Sequence, residues 1–433
     1  MSLNMIAGLG MLALIALLLL GMNIGLCMFL VGFVGYAVAL NFKAALGILM
    51  TSTVTNAMTY SFSVIPLFIL MGQFAFRAGL SDGLFEAANT WFGRVKGGLC
   101  LATIVACATF GAICGSLAAT AATMAVVAMP EMRKRNYDAG LSVGCIAAGG
   151  TLGTLIPPST PFILYGIIAQ ESIGKLFSAG IVPGILMAVC FCGVAMFQIW
   201  RNPEMAPAGT QFTMKQKLVS LKGCIPIVLL FGSSIGGMFT GIFSATEAAG
   251  VGAFLSFVFL IIMRRATWEN IKDALIETLK TSGMTLCIVL GAYMLGYFLA
   301  VTKLPMNLAG WVAGLAVPPI FVIAVIILIY AVMGCFMDGL AMTLLTVPIF
   351  LPIIKGLGYD PIWFGVVIVM VQNLGAITPP VGMSCYVVAG AVKDVPLMTV
   401  FKGTAPMIFA FMIAFILVVS FPQLSLWLPN LVR

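Results

Sequence analysis

Two short stretches carry the chemistry open to this chain. Residues 153–158 read GTLIPP and residues 375–380 read GAITPP, each inside a long apolar run. Tandem proline in mid-span removes two backbone donors and leaves carbonyls of the preceding turn unpaired. In hydrocarbon that state is costly unless something electropositive meets the oxygens, and a dehydrated Na⁺ does so. The freed carbonyls lie around Gly153, Ile156 and Pro158 in one stretch, and around Gly375, Thr378 and Val381 in the other. One isolated proline would read as a structural kink, whereas two copies at matching places point to ion sites. Each stretch is expected to face a polar interruption, 111–116 or 334–338, which adds Gly111, Gly115, Ser116, Gly334 and Asp338 to the candidate Na⁺ residues. Asp338 suits two roles equally, direct cation ligand or cap of the helix that follows it.

Small hydroxyl residues gather at the same places. Ser116, Thr120, Ser159, Thr160, Thr343 and Ser384 are the candidate substrate contacts, with Thr123 and Thr346 nearby. Half-helix N-termini at such breaks offer partial positive charge and free N–H groups to an anion. Any single Ser or Thr is explained by helix packing, so only the constellation argues for an anionic substrate. Glu247, in FSATEAAG, reads as a helix cap or inter-helix strut.

The counts remove other chemistries. No His occurs among 433 residues, which excludes Ser/His and Cys/His nucleophiles, HExxH metal sites and imidazole relays. The eleven Cys form no CxxC pair or ligand cluster and read as packing residues. An enzyme is not expected. The chain is 62% apolar with 8% charged residues, too few to coat a soluble protein of this size. The net charge of +8 lies in short loops between apolar runs, so it reads as an orientation signal and not as a nucleic-acid surface. The partner of the apolar faces is membrane lipid.

Those faces belong to helices that must position the two stretches. Apolar runs give ten crossings, near 3–20, 23–41, 61–78, 138–170, 180–200, 223–240, 245–264, 282–301, 361–391 and 404–422. The first reads as a retained helix, not a signal peptide. Two further runs, 99–130 and 319–352, are too long for one crossing and are interrupted midway, so each is expected to be a re-entrant helical hairpin. With both hairpins returning to their side of entry, Lys43, Lys175, Lys303, Lys355 and Arg433 face one side and the other sixteen basic residues face the cytoplasm. Both termini then face outward. Residues 267–280 read as an amphipathic helix on the inner surface, and 201–222 as a polar linker between two halves.

The halves are related. Laying 115–169 over 337–391 without a gap matches Ala119/Ala341, Pro130/Pro352, Tyr137/Tyr359, Asp138/Asp360, Ile146/Ile368, Leu152/Leu374, Gly153/Gly375, Pro157/Pro379, Pro158/Pro380 and Ala169/Ala391. Chance gives roughly four matches in so biased a composition. A duplicated unit of one hairpin and one broken helix explains the rest, and the charge pattern makes the two copies antiparallel. The fold class is thus an all-α polytopic membrane protein with inverted repeats and two re-entrant hairpins. Its expected segments are scaffold helices in 1–60, a first repeat in 61–200, the linker 201–222, scaffold and surface helices in 223–281, a second repeat in 282–422 and a tail in 423–433.

At GSLAAT with the MPEM segment, IPPS, SATEAAG, FMDGLA with PIFLP, and ITPPVG, the sequence resembles the large membrane subunit of tripartite ATP-independent periplasmic (TRAP) transporters. The resemblance implies an elevator-type carrier in the bacterial inner membrane, coupling to two or more Na⁺, and carriage of a C4-dicarboxylate, sugar acid, keto acid or sulfonate. It implies two partners, a small four-helix membrane subunit and a periplasmic substrate-binding protein. It also assigns sodium ligation to the carbonyls named above. One departure is that Met383, Ser384 and Cys385 follow ITPPVG, where the family often has an Asn. The alternative reading is a stand-alone Na⁺/divalent-anion symporter of the same hairpin architecture.

Overall fold

The computed structural model describes residues 2–207, 209, 211–314 and 317–431, so the expected outward placement of Arg433 lies outside the described residues. Helices account for nearly all of it. The chain begins with α1 (Leu3–Leu19), α2 (Ile24–Ala39), α3 (Phe42–Ala57), α4 (Val64–Arg77) and α5 (Leu80–Phe92). A helical pair follows, α6 (Gly98–Cys114) and α7 (Leu117–Lys134), and then a broken helix, α8 (Ala139–Leu155) and α9 (Thr160–Ala169). The connecting set is α10 (Ile173–Arg201), α11 (Met214–Ser220), α12 (Ile225–Phe239), α13 (Ala245–Ile262), α14 (Trp268–Thr302) and α15 (Leu304–Ala313). A second pair, α16 (Pro319–Gly334) and α17 (Gly339–Gly356), precedes a second broken helix, α18 (Pro361–Ile377) and α19 (Met383–Ala391). The chain closes with α20 (Leu397–Ser420) and α21 (Gln423–Leu426). Among the described residues, eight helices are long and apolar enough to cross a membrane.

Each of the ten apolar runs is helical, and both long runs fold as two helices in contact across a short turn. Two features differ from expectation. The inner-surface helix 267–280 and the crossing 282–301 form one continuous helix, α14, of 35 residues and about 52 Å. Gly283 weakens that helix without breaking it, because no proline interrupts the hydrogen-bond ladder. Helices α3, α5 and α15 are additional to the expected crossings, each being 10–16 residues and shorter than a full membrane span.

The two broken helices form the centre. Every residue from Leu141 to Leu155 in α8 is buried, and thirteen of the seventeen in α18 are. A helix buried all round needs neighbours at close range, and α8 achieves this with glycine. A Cβ on Gly144 would lie 2.2 Å from the Gly403 carbonyl oxygen of α20, and one on Gly403 would lie 2.0 Å from that of Gly140. Gly140 and Gly144 are the small-xxx-small pair that lets two membrane helices approach backbone to backbone. The scaffold uses the same device, with Gly25 and Gly32 of α2 set against the backbone of α14.

The repeats brace one another. Helix α7 packs on α19, and its counterpart α17 packs on α9, so the second arm of each hairpin lies against the broken helix of the other copy. Ion pairs follow the same exchange. Arg133 meets Asp394 at 2.6 Å, and Lys355, its counterpart in the second copy, meets Glu171 at 3.4 Å. Each bridge joins residues that the charge pattern assigns to one side. Substituting Gly403→Ala should destabilise the protein by about 1–3 kcal/mol through forced separation of α8 and α20. Gly283→Ala, with no atom within 4 Å of the added Cβ, should not destabilise it. Thermal unfolding of both variants in detergent checks this.

Candidate functional site

Each hairpin tip is locked onto a helix break by residues that tolerate no side chain. In the first, α6 ends at Gly115, whose φ of +60° is left-handed and favours glycine. A Cβ there would also stand 2.7 Å from the Pro158 carbonyl oxygen. The Gly115 carbonyl accepts from the Thr160 backbone N–H at 3.4 Å and from Thr160 Oγ1 at 3.2 Å. One turn back, a Cβ on Gly111 would lie 2.4 Å from Gly153 Cα. Ser116 is extended and caps α7, its Oγ accepting from the Ala119 N–H at 3.4 Å. Ile156 ends α8 in extended conformation and sets its side chain against Gly184 of α10. Thus Gly111, Gly115, Ser116, Gly153, Pro158 and Thr160 come together, with Ile156 contributing backbone.

The second tip repeats this plan with different atoms. A Cβ on Gly375 would lie 2.5 Å from the Gly334 carbonyl oxygen, so the two glycines touch through backbone. Thr378 is extended at the end of α18, and its Oγ1 donates to the Leu374 carbonyl at 2.7 Å, leaving hydroxyl lone pairs free. Gly382 is left-handed at φ +56°, close to the Thr378 carbonyl. Asp338 caps α17, with Oδ2 accepting from the Leu340 N–H at 3.0 Å, and its carboxylate also lines the cavity described next. Both Pro157–Pro158 and Pro379–Pro380 are cis. Glu247 takes the capping role, forming a reciprocal box with Ser244 at 2.8 and 3.3 Å.

Between the tips lies a cavity of about 560 Å³. Four helix N-termini meet it, those of α7 at Leu117, α9 at Thr160, α17 at Gly339 and α19 at Met383. The hairpin helices α7 and α17 are capped by their own side chains, whereas α9 and α19 have no side-chain cap. N-termini without a side-chain cap that meet one space favour an anion there, α9 offering less than α19 because its Thr160 N–H goes to the Gly115 carbonyl and Pro161 has none. The opposite wall comes from α4 and α14, through Gln73, Arg77, Glu277 and Thr281, with Arg77 Nη1 donating to Gln73 Oε1 at 2.6 Å.

The candidate substrate contacts divide. Ser116 and Thr160 line the cavity, as do Gly115, Gly334 and Val381. Thr120, Ser159, Thr343 and Ser384 lie behind its wall with their hydroxyls engaged. Thr120 donates to the Ser116 carbonyl at 2.8 Å, Ser159 to that of Thr154, Thr343 to that of Gly339 at 3.0 Å, and Ser384 to that of Ala147 at 2.7 Å. Sequence reasoning missed Thr154, Gln372, Asn373, Gln73 and Arg77 on the wall. A signal existed for one pair, since Gln372 and Asn373 are the only side-chain amides within the apolar run 361–391.

Known proteins are similar to this chain in sequence and in fold. Residues 11–424 match the family described as "Tripartite ATP-independent periplasmic transporter, DctM component". The C4-dicarboxylate TRAP transporter large permease protein DctM of Pseudomonas aeruginosa is 33% identical over 372 residues, covering 86% of each chain. The isethionate TRAP transporter permease protein DctMQ of Oleidesulfovibrio alaskensis is 32% identical over 375 residues, 85% of this chain and 58% of that one. In fold, the crystal structure of the Alcanivorax borkumensis YdaH transporter is similar at a TM-score of 0.61 and 15% identity, over 89% of each chain. The chain therefore belongs to the DctM component family of TRAP transporters, and is an integral membrane transport subunit and not an enzyme.

Proposed function

We propose that this chain is the large subunit of a bacterial inner-membrane importer, which moves a small organic carboxylate or sulfonate together with two or more Na⁺. The observation that carries the reading is the convergence on one cavity of four helix N-termini and of residues flanking the two breaks, Thr154 and Thr160 at one and Ala376 and Val381 at the other. Carbonyls at Gly153, Ile156 and Pro158, and at Gly375, Thr378 and Val381, suit a small hard cation that prefers oxygen ligands. The uncapped starts of α9 and α19 suit the opposite charge.

The order of events follows from electrostatics. Na⁺ bound at a break attracts the carbonyls of both the broken helix and the tip, as Pro158 and Gly115 illustrate, and so holds the hairpin closed. Its positive charge lowers the cost of bringing an anion into a low-dielectric space. The anion then supplies the caps that α9 and α19 lack. In this reading the hairpins and broken helices are the moving body, and α4, α13, α14 and α2 are the scaffold, an elevator arrangement of inverted repeats. Arg77 and Glu277 on the scaffold wall belong to the side that the charge pattern assigns to the cytoplasm, which makes the structure an inward-facing state.

Two partners complete the system. The fused isethionate permease extends well beyond the part this chain matches, which supports a separate small membrane subunit here, and the family's periplasmic component supports a soluble binder that delivers the acid. Purified complex in proteoliposomes, offered a panel of acids with each candidate binder, should show uptake only under an inward Na⁺ gradient. Uptake that ignores Na⁺ would defeat the coupling, and uptake without any binder would favour a stand-alone symporter. Thr378→Ala should raise the half-saturating Na⁺ concentration several-fold while leaving protein yield unchanged, and a wild-type Na⁺ titration would remove Thr378 from the ion site.

A further inference from the structure

A polar bridge joins the two broken helices at the cavity wall. Thr154 Oγ1, near the end of α8, donates to Asn373 Oδ1 of α18 at 2.6 Å. Asn373 is only 2% exposed, and its Nδ2 has no hydrogen-bond partner. Four other buried side-chain polar atoms among the described residues lack a partner, on Asn89, Gln198, Ser282 and Ser425, and none of those residues lines this cavity. Leaving a buried amide nitrogen unpaired is unfavourable, so its position opposite an anion-seeking set of helix ends calls for a partner that enters from the cavity.

Thr154 fixes which end of the amide is presented. Its hydroxyl lies closer to Asn373 Oδ1, at 2.6 Å, than to the Thr151 carbonyl at 3.0 Å. With the oxygen held, the amide nitrogen is left buried and unpaired in the wall of the cavity that Asn373 lines, so an acceptor that displaces its immediate neighbours meets two free N–H groups. The duplicated architecture does not demand this amide, because its counterpart in the first copy is Thr151, which spends its hydroxyl on the Ala148 carbonyl at 2.6 Å. Asn373, like Gln372 beside it whose counterpart is Gly150, breaks the repeat symmetry at the wall of the cavity, where a single asymmetric substrate must be gripped.

We propose that the Asn373 side-chain amide donates to the carboxylate or sulfonate oxygen of the transported anion, and that Thr154 is the positioning residue that holds it for this task. The proposal deepens the functional reading above and rests on it. It is tested on the whole complex in proteoliposomes with a labelled panel of C4-dicarboxylates, sugar acids, keto acids and sulfonates, the variants being measured with whichever acid the wild type carries. Asn373→Asp keeps the size but replaces the N–H pair with an oxygen that repels the anion, so KM for the acid should rise about ten- to a hundredfold. Na⁺-induced thermal stabilisation without acid should match wild type, which also shows that the variant folds. Thr154→Val should raise KM several-fold at unchanged maximal rate, and Thr154→Ser should restore it.

Wild-type complex that carries no acid of the panel under a Na⁺ gradient, with any binder, defeats the functional reading itself. Wild-type uptake with an unaltered KM in Asn373→Asp overturns this inference alone. So does an Asn373→Asp protein whose Na⁺ response sharpens while KM stays fixed, since the side chain would then serve a cation. Should Asn373→Asp fail to assemble, equal KM in Thr154→Val and Thr154→Ser would overturn the proposal equally.

Discussion

A backbone carbonyl or N–H inside lipid must find a partner within the protein, and this chain interrupts that rule twice at its centre. The rest of the structure follows from managing the two interruptions. Tandem proline opens α8 and α18, and a hairpin tip is brought against each opening by contacts that only glycine permits, Gly111 on Gly153 and Gly334 on Gly375. The tips add backbone and side-chain oxygens of their own, those of Gly115 and Asp338 among them, so each break becomes a small polar enclosure walled by buried apolar helix. In the functional reading proposed above, the guests of these enclosures are ions and the transported anion, which would make the fold responsive to both instead of merely tolerant of a kink.

Packing between the repeats gives this arrangement its rigidity. Because α7 lies on α19 and α17 on α9, the second arm of each hairpin is also held by the broken helix of the other unit. The side-chain hydrogen bonds run the same way, with Ser384 of the second copy bonded to Ala147 of the first and Tyr165 bonded to the Pro361 carbonyl at 2.5 Å. The two ion pairs at Arg133 and Lys355 are partly exposed and contribute little binding strength. Their matched positions instead mark where the copies meet. Bracing of this kind is what the proposed elevator motion past α4 and α14 requires, since the moving body must keep both sites intact.

Much of this is legible in the sequence because proline, glycine and charge leave marks that composition alone cannot produce. The breaks, the tips at Gly115 and Asp338, and the pairing of 115–169 with 337–391 all come from such marks. Burial does not. Ser159, Thr343 and Ser384 have the right type and neighbourhood, yet their hydroxyls bond to nearby carbonyls, an outcome fixed by rotamer and helix rotation. Arg77 and Gln73 are hidden for the opposite reason, since they sit on α4, far in sequence from either repeat motif. The continuity of α14 escapes a sequence reading because its polar and apolar parts obey different solvents while sharing one ladder of hydrogen bonds.

The central claim is that small cations complete the unwound backbone at both breaks. It is tested most directly by high-resolution density maps of the protein in saturating NaCl and in choline chloride. The account requires a compact peak at each break in Na⁺, ligated by carbonyls of the broken helix and its hairpin tip and lost in choline. Identical maps in the two salts, or side chains filling both enclosures, would contradict it.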